Sequence, residues 1–207
     1  MKWKSAAYVI TPLAVAVVAA AAFYGTRAPG GKGVCPAASV AIADKLRPLA
    51  KGEIASLAVD KTPRPASDLS FVGVQGQKLK LADFKGRAIL LNLWATWCEP
   101  CRAEMPTIDK LQAEAGGPKF EVVTVNIDTA RAERAPKFLD EIGVKHLTRY
   151  ADHSGDVFET LRLAGKALGL PTSLLIDADG CEIGVVAGPA DWASPEALAA
   201  VKTLQGG

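Results

Sequence analysis

Cys98 and Cys101 are separated only by Glu99 and Pro100. Thiols at this spacing can close a disulfide with each other, or one can attack a foreign disulfide while the second resolves the mixed species. The attacking form is the thiolate, so the surroundings must stabilise negative charge. The residues before the pair, Ala88 to Trp94, are almost continuously apolar, as expected of a strand buried on both faces. A helix is expected over Glu99 to Ala115, with Cys98 at its N-terminus. Unpaired N–H groups and the helix dipole favour a thiolate there. Cys101 then falls one turn on, along the same face, and Pro100 suits the first turn, where a missing N–H costs nothing.

Two other chemistries use such a pair. A zinc site needs a second ligand pair at matching spacing. The remaining cysteines, Cys35 and Cys181, stand alone, and neither His146 nor His153 has a partner at ligand spacing. No metal and no cofactor is therefore implied. A purely structural disulfide does not need the strand–CxxC–helix placement. Glu99 bears on direction: a carboxylate beside the thiolate opposes it, and no imidazolium adjoins the pair to offset this. The expected direction is that of a reductant.

The elements that must position this pair follow the α/β pattern. Phe71–Val74 and Lys78–Leu81 alternate around Gln75-Gly76-Gln77, a hairpin. Phe120–Ile127 reads as a second buried strand. Ala132–Ile142 and Asp156–Ala164 read as helices, the first stopped by Gly143. Ser173–Asp177 and Glu182–Ala187 read as strands joined by Ala178-Asp179-Gly180. Pro195–Leu204 reads as a closing helix with Ser194 as N-cap. Strands alternating with helices, then a terminal hairpin and helix, predict a mixed sheet flanked by helices. Upstream, residues 37–50 read as helical. Pro63 and Pro65 predict a turn-rich joint over 60–68, with the compact core starting after it.

The N-terminus begins Met-Lys-Trp-Lys-Ser and is apolar from Ala6 to Tyr24. That length suits a membrane-spanning helix. Small residues from Ala19 to Ala22 would also fit signal-peptide cleavage, but the apolar length favours an uncleaved anchor. The division expected is a transmembrane signal-anchor at 1–24, a flexible tether at 25–34, a helical extension at 35–65 and the main domain at 66–207. Lys2 and Lys4 on one side are nearly matched by Arg27 and Lys32 on the other, with the free amino terminus as tie-breaker. Two lone cysteines far apart suit a structural disulfide, which persists in oxidising compartments; the alternative is two free buried thiols. The expected location is the bacterial cytoplasmic membrane, single-pass, with the redox domain in the periplasm. The chain has 207 residues and a net charge of only +2, with its basic residues spread out, so a nucleic-acid footprint is not expected.

Trp94-Ala95-Thr96-Trp97-Cys98-Glu99-Pro100-Cys101-Arg102 resembles the active site of thioredoxin-like proteins. The chain is similar to the membrane-anchored TlpA/ResA/CcmG branch over about residues 66–205. Glu104, Pro106, Asn126-Ile127-Asp128 and Leu170-Pro171-Thr172 match further features of that branch, and Cys35 with Gly180-Cys181-Glu182-Ile183 and Gly188–Ser194 looks nearest to TlpA-type proteins. Glu99 instead follows ResA-type proteins, where TlpA-type ones carry an apolar residue. The resemblance implies a thioredoxin-like fold and thiol:disulfide oxidoreductase activity. It implies Cys98 as nucleophile, Cys101 as resolving thiol and Glu104 as proton acceptor for Cys101; an ordinary solvated helix acid is the alternative for Glu104. Trp97, Glu99, Pro100, Leu170 and a cis Pro171 would position substrate, with the Leu170 backbone free to pair with a substrate strand. Trp94 is expected in the core. Asn92 stands where ordinary thioredoxins have a buried Asp, so that acid–base route is absent. The resemblance further implies a Cys35–Cys181 structural disulfide and a monomer. Implied partners are protein dithiols: a Sco-type copper chaperone and the oxidase copper subunit, or apocytochrome c as second reading. Electrons would come from a membrane thiol transporter. A copper-binding metallochaperone would need wider cysteine spacing and a nearby His.

Overall fold

The computed structural model describes residues 34–206. Its strands are β1 (Leu57–Pro65), β2 (Ser70–Val72), β3 (Lys78–Lys80), β4 (Ala88–Trp94), β5 (Phe120–Asn126), β6 (Thr148–Ala151), β7 (Thr172–Ile176) and β8 (Cys181–Ala187). Its helices are α1 (Ala37–Leu46), α2 (Glu99–Ala115), α3 (Arg134–Glu141), α4 (Asp156–Leu163) and α5 (Pro195–Leu204). The strands form a single sheet in the order β1-β8-β7-β4-β5-β6-β2-β3. It is mixed: β4, β5 and β6 run parallel, while β7 is antiparallel to both β4 and β8. This is the expected thioredoxin-like α/β architecture.

Every residue of β4 is buried. That is what a central strand covered on both faces requires, and it explains the unbroken apolar run. Its register with β5 pairs Trp94 with Asn126, and its register with β7 pairs Leu93 with Thr172. Helix α2 buries Cys101, Glu104, Met105, Ile108 and Leu111. These recur at intervals of three and four, the stripe a helix turns toward a core. At the far edge, Phe71, Phe84 and Tyr150 pack ring against ring at 5.4–5.9 Å and join the β2–β3 hairpin to β6. The Tyr150 hydroxyl donates to Glu121, which also receives Arg87.

Two readings need correction. The stretch 60–68 is not simply a joint: strand β1 runs through both prolines to Pro65. It can do so because it is the edge strand, where a missing N–H breaks no ladder on the open side. The pairing with β8 also slips between Val59 and Arg64, and the buried Pro63 sits in that irregular stretch. The core therefore begins upstream of residue 66, and the segment after α1 is part of the sheet. Strand β6 was not anticipated at all. The expected anchor at 1–24, and the tether at 25–34 apart from Val34, lie outside the described residues. Among the described residues no helix is long and apolar enough to cross a membrane.

Helix α1 is tied to the sheet twice. Cys35, just before it, forms a disulfide with Cys181 at the start of β8, with Cα atoms 6.0 Å apart. Within the helix, the buried Ser39 hydroxyl donates to Asp177, whose carboxylate also accepts the backbone N–H groups of Asp179 and Cys181. The free-thiol alternative for these two cysteines is thereby set aside. The bridge closes a sequence separation of 146 residues. Replacing both with Ser is expected to lower unfolding free energy by about 4–5 kcal/mol, from chain entropy returned to the unfolded state. Guanidinium unfolding of the double variant, with Cys98–Cys101 kept oxidised, checks this; a loss below about 1 kcal/mol would contradict it.

Candidate active site

Strand β4 ends at Trp94, and four residues later Cys98 caps helix α2. Cys98 and Cys101 are joined as a disulfide, with Cα atoms 5.3 Å apart. The backbone N–H of Cys101 points at Cys98 Sγ, at 3.2 Å. When the bond is reduced, that N–H and the helix dipole face the Cys98 sulfur and favour its thiolate. Cys98 retains 5% of its exposure and Cys101 none, so Cys98 is the one that can be reached. Glu99 and Pro100 are exposed in the first turn, and Trp97 is 70% exposed beside the pair. Trp94 is in the core against Phe138, over whose ring the Arg102 guanidinium also lies at 4.7 Å.

The loop carrying Trp97 is held from β5. Buried Asp128 receives the backbone N–H of Thr96 at 3.2 Å and the Asn126 amide at 3.1 Å. On the other side of β4, the Leu93–Thr172 register brings the Leu170–Pro171 turn to the same end of the sheet as the redox pair. The peptide bond before Pro171 is cis, as expected. Thr172 Oγ1 donates to the Gly169 carbonyl and the Gly188 N–H to the Pro171 carbonyl, which fixes the turn from both sides.

Glu104 lies one turn beyond Cys101 on the buried face of α2 and is 3% exposed. It is not a solvated helix acid. Its Oε1 accepts from Asn92 Nδ2 at 2.8 Å and its Oε2 from the Ala190 N–H at 3.2 Å. Burial is the larger influence: loss of hydration raises the pKa from 4.5 to about 7, and these donors offset only part of it. A carboxyl poised near neutrality can take or return a proton at physiological pH. Helix α2 is steadied beside it despite Pro106, because the Thr107 hydroxyl donates to the Glu104 carbonyl and accepts the Trp192 backbone N–H.

The site thus assembles Cys98, Cys101, Glu104, Trp97, Glu99, Pro100, Leu170 and Pro171 at one end of the sheet, while the Cys35–Cys181 bridge belongs to the α1–β8 joint. Sequence reasoning missed the groups that hold Glu104. Asn92, at the position where ordinary thioredoxins carry an Asp, donates to a buried acid on the helix. The available signal was a lone amide inside the otherwise apolar Ala88–Trp94 run.

A dithiol–disulfide pair capping a helix, next to a cis-proline turn and a buried acid, defines a thioredoxin-fold thiol-disulfide oxidoreductase. The comparisons with known proteins agree. A Redoxin family model matches residues 58–201, and the chain belongs to that family. Its relatives place it in the TlpA/ResA/CcmG branch. Thiol-disulfide oxidoreductase ResA of Bacillus thuringiensis is 30% identical over 125 residues, covering 60% of this chain and 69% of that protein. Thioredoxin-like protein YneN of Bacillus subtilis is 51% identical over 65 residues, which are 31% of this chain and only 38% of YneN. Among solved structures, a thioredoxin-family thiol:disulfide interchange protein from Chlorobium tepidum superposes with TM-score 0.58 at 28% identity, covering 70% of this chain and 99% of its own. The exposed lipoprotein thioredoxin of Streptococcus pneumoniae gives 0.51 at 28% identity, covering 68% and 99%.

The raised pKa of Glu104 has a consequence for stability. Below pH 4.5 the acid is protonated whether the chain is folded or not. Between 4.5 and about 7 the unfolded chain gives up the proton first, so the native state loses stability as pH rises. Glu104→Gln removes this penalty. Relative to wild type, the variant is expected to gain about 3 kcal/mol between pH 4.5 and 8. Denaturant unfolding of both proteins at the two pH values tests it; a difference that does not vary with pH would refute the assignment.

Proposed function

We propose that the protein is a membrane-tethered reductase of exported protein thiols, acting in assembly of the copper site of cytochrome oxidase. The observation that carries the reductase reading is the helix-capping Cys98 with a buried acid one turn beyond its partner. In the reduced protein the Cys98 thiolate attacks a substrate disulfide; a sulfur–sulfur bond forms, the substrate bond breaks and one substrate thiolate leaves. Cys101 gives its proton to Glu104 and attacks Cys98 Sγ. The second substrate thiolate departs, and the protein is left with the Cys98–Cys101 disulfide. Two electrons have passed to the substrate, and a membrane thiol transporter returns them. Trp97 and the Leu170–Pro171 turn flank the pair as substrate contacts, and the exposed Glu99 faces whatever docks.

The Cys35–Cys181 bridge supports an oxidising compartment, since such bonds are rare where glutathione and thioredoxin keep thiols reduced. The likeness to a lipoprotein thioredoxin described as exposed supports the same side of the membrane. The apolar run from Ala6 to Tyr24 supports the tether. Glu99 between the cysteines, together with the similarity to ResA, favours a second reading: supply of reduced CXXCH thiols of apocytochrome c for haem attachment.

Cys101→Ser in the native membrane is expected to hold substrates through Cys98 as mixed disulfides. Recovery of copper-centre proteins supports the first reading and apocytochromes the second; no mixed disulfide at all would count against thiol exchange. The reduction potential is expected nearer to thioredoxin at roughly −270 mV than to strong oxidants at roughly −120 mV, and a value near the latter would overturn the direction.

A further inference from the structure

Glu104 does not stand alone in the core. The Asn92 amide has two N–H groups, and the structure spends both: one on Glu104 Oε1 at 2.8 Å, the other on Ser173 Oγ at 2.9 Å. Asn92 and Ser173 are each fully buried. They are also register partners, facing each other across the β4–β7 ladder. The amide oxygen of Asn92 is left without a hydrogen-bond partner among the described residues. A buried acceptor left bare is costly, so an amide normally turns to satisfy it. Here the amide is turned the other way: its N–H groups go to a carboxyl on α2 and a hydroxyl on β7, so donors, not the acceptor, face the carboxyl.

We propose that Asn92 and Ser173 are positioning residues for the proton transfer at Glu104: Ser173 fixes the rotation of the Asn92 amide, and the amide presents an N–H that favours the ionised carboxylate. The inference rests on Glu104 being the proton acceptor for Cys101, as above. An amide is planar, so while Ser173 Oγ anchors one N–H the other is aimed at Glu104. Without it the amide can turn, and an amide oxygen facing Glu104 accepts from a protonated carboxyl and disfavours the ionised one. The other groups facing Glu104 are the Ala190 N–H and the Trp192 indole from the segment after β8, with Cys101 on its own helix. Neither Ala190 nor Trp192 is ionisable, and among the described residues no charged side chain acts on the carboxyl. Burial sets the proton affinity of the carboxyl and neutral donors temper it.

The test separates the two chemical steps. Reduced protein is mixed with a model protein disulfide between pH 5 and 9; the capture step at Cys98 and the resolving step at Cys101 are followed by the first and second thiol released. In wild type the resolving step is expected to rise with a midpoint near 7, where the Glu104 carboxyl titrates. Ser173→Ala, and Asn92→Ala where it folds, are expected to move that midpoint up by about 1 unit, the effect of losing one hydrogen bond to a charged group. The capture step stays unchanged, and Ser173→Thr, which keeps the hydroxyl, restores the wild-type midpoint. In a Glu104→Gln background neither substitution moves the profile. A folded Ser173→Ala protein with an unshifted midpoint overturns the inference while leaving Glu104 its role. A shift that persists without Glu104 also overturns it. A wild-type resolving step with no midpoint near neutrality overturns the inference together with the role of Glu104.

Discussion

The pairing of β4 with β7 is the constraint on which the rest of this site depends. One ladder, Leu93 to Thr172 and Asn92 to Ser173, does two things at once. At its end it sets the cis-proline turn beside the strand that delivers Cys98. One residue further in, it places an amide and a hydroxyl opposite each other beneath α2. Because side chains alternate along a strand, a slip of one residue would turn Asn92 to the other face and leave Glu104 in the core without its donor. Burial of β4 on both faces makes such a slip prohibitive, since all seven residues are packed. The apolar run is thus more than generic core: it is what holds a polar contact in place.

The chemistry draws on opposite electrostatic environments within a single helix. At its N-cap, the Cys101 N–H points at Cys98 Sγ and favours charge. Beyond the next turn, burial at Glu104 opposes charge, and its neutral donors only partly compensate. Ionisation is thereby favoured at Cys98, while the Glu104 carboxyl is held near neutrality. Neither tendency needs a metal ligand or a charged side chain aimed at the reacting sulfur. Both come from where α2 begins and which face it buries.

Much of this was legible in the residues. Helices α2 and α5 begin and end where capping and periodicity put them, because Cys98-Glu99-Pro100 and Ser194-Pro195 are strong start signals. The β2–β3 and β7–β8 hairpins follow from their turn residues. Strand β1 was hidden because prolines act as breakers except on an edge, and being on an edge is a property of the whole sheet. Strand β6 was hidden because it is four residues long with only Tyr150 buried, too short to show alternation. The burial of Glu104 was within reach: it falls on the stripe of Cys101, Met105, Ile108 and Leu111. Ser173 was out of reach, because a short polar residue at a strand's start reads as a boundary until its partner across the sheet is known.

The bridge between Cys35 and Cys181 also has a mechanical meaning. A tension applied to the chain ahead of Val34 reaches a covalent branch point one residue later. From there the load can pass directly into β8, which is hydrogen-bonded on both sides, by β1 and β7. Helix α1 and edge strand β1 are shunted out of the force path. The catalytic end of the sheet, carried by β4 and β7, lies outside that path, so a load entering at Cys35 leaves its geometry undisturbed.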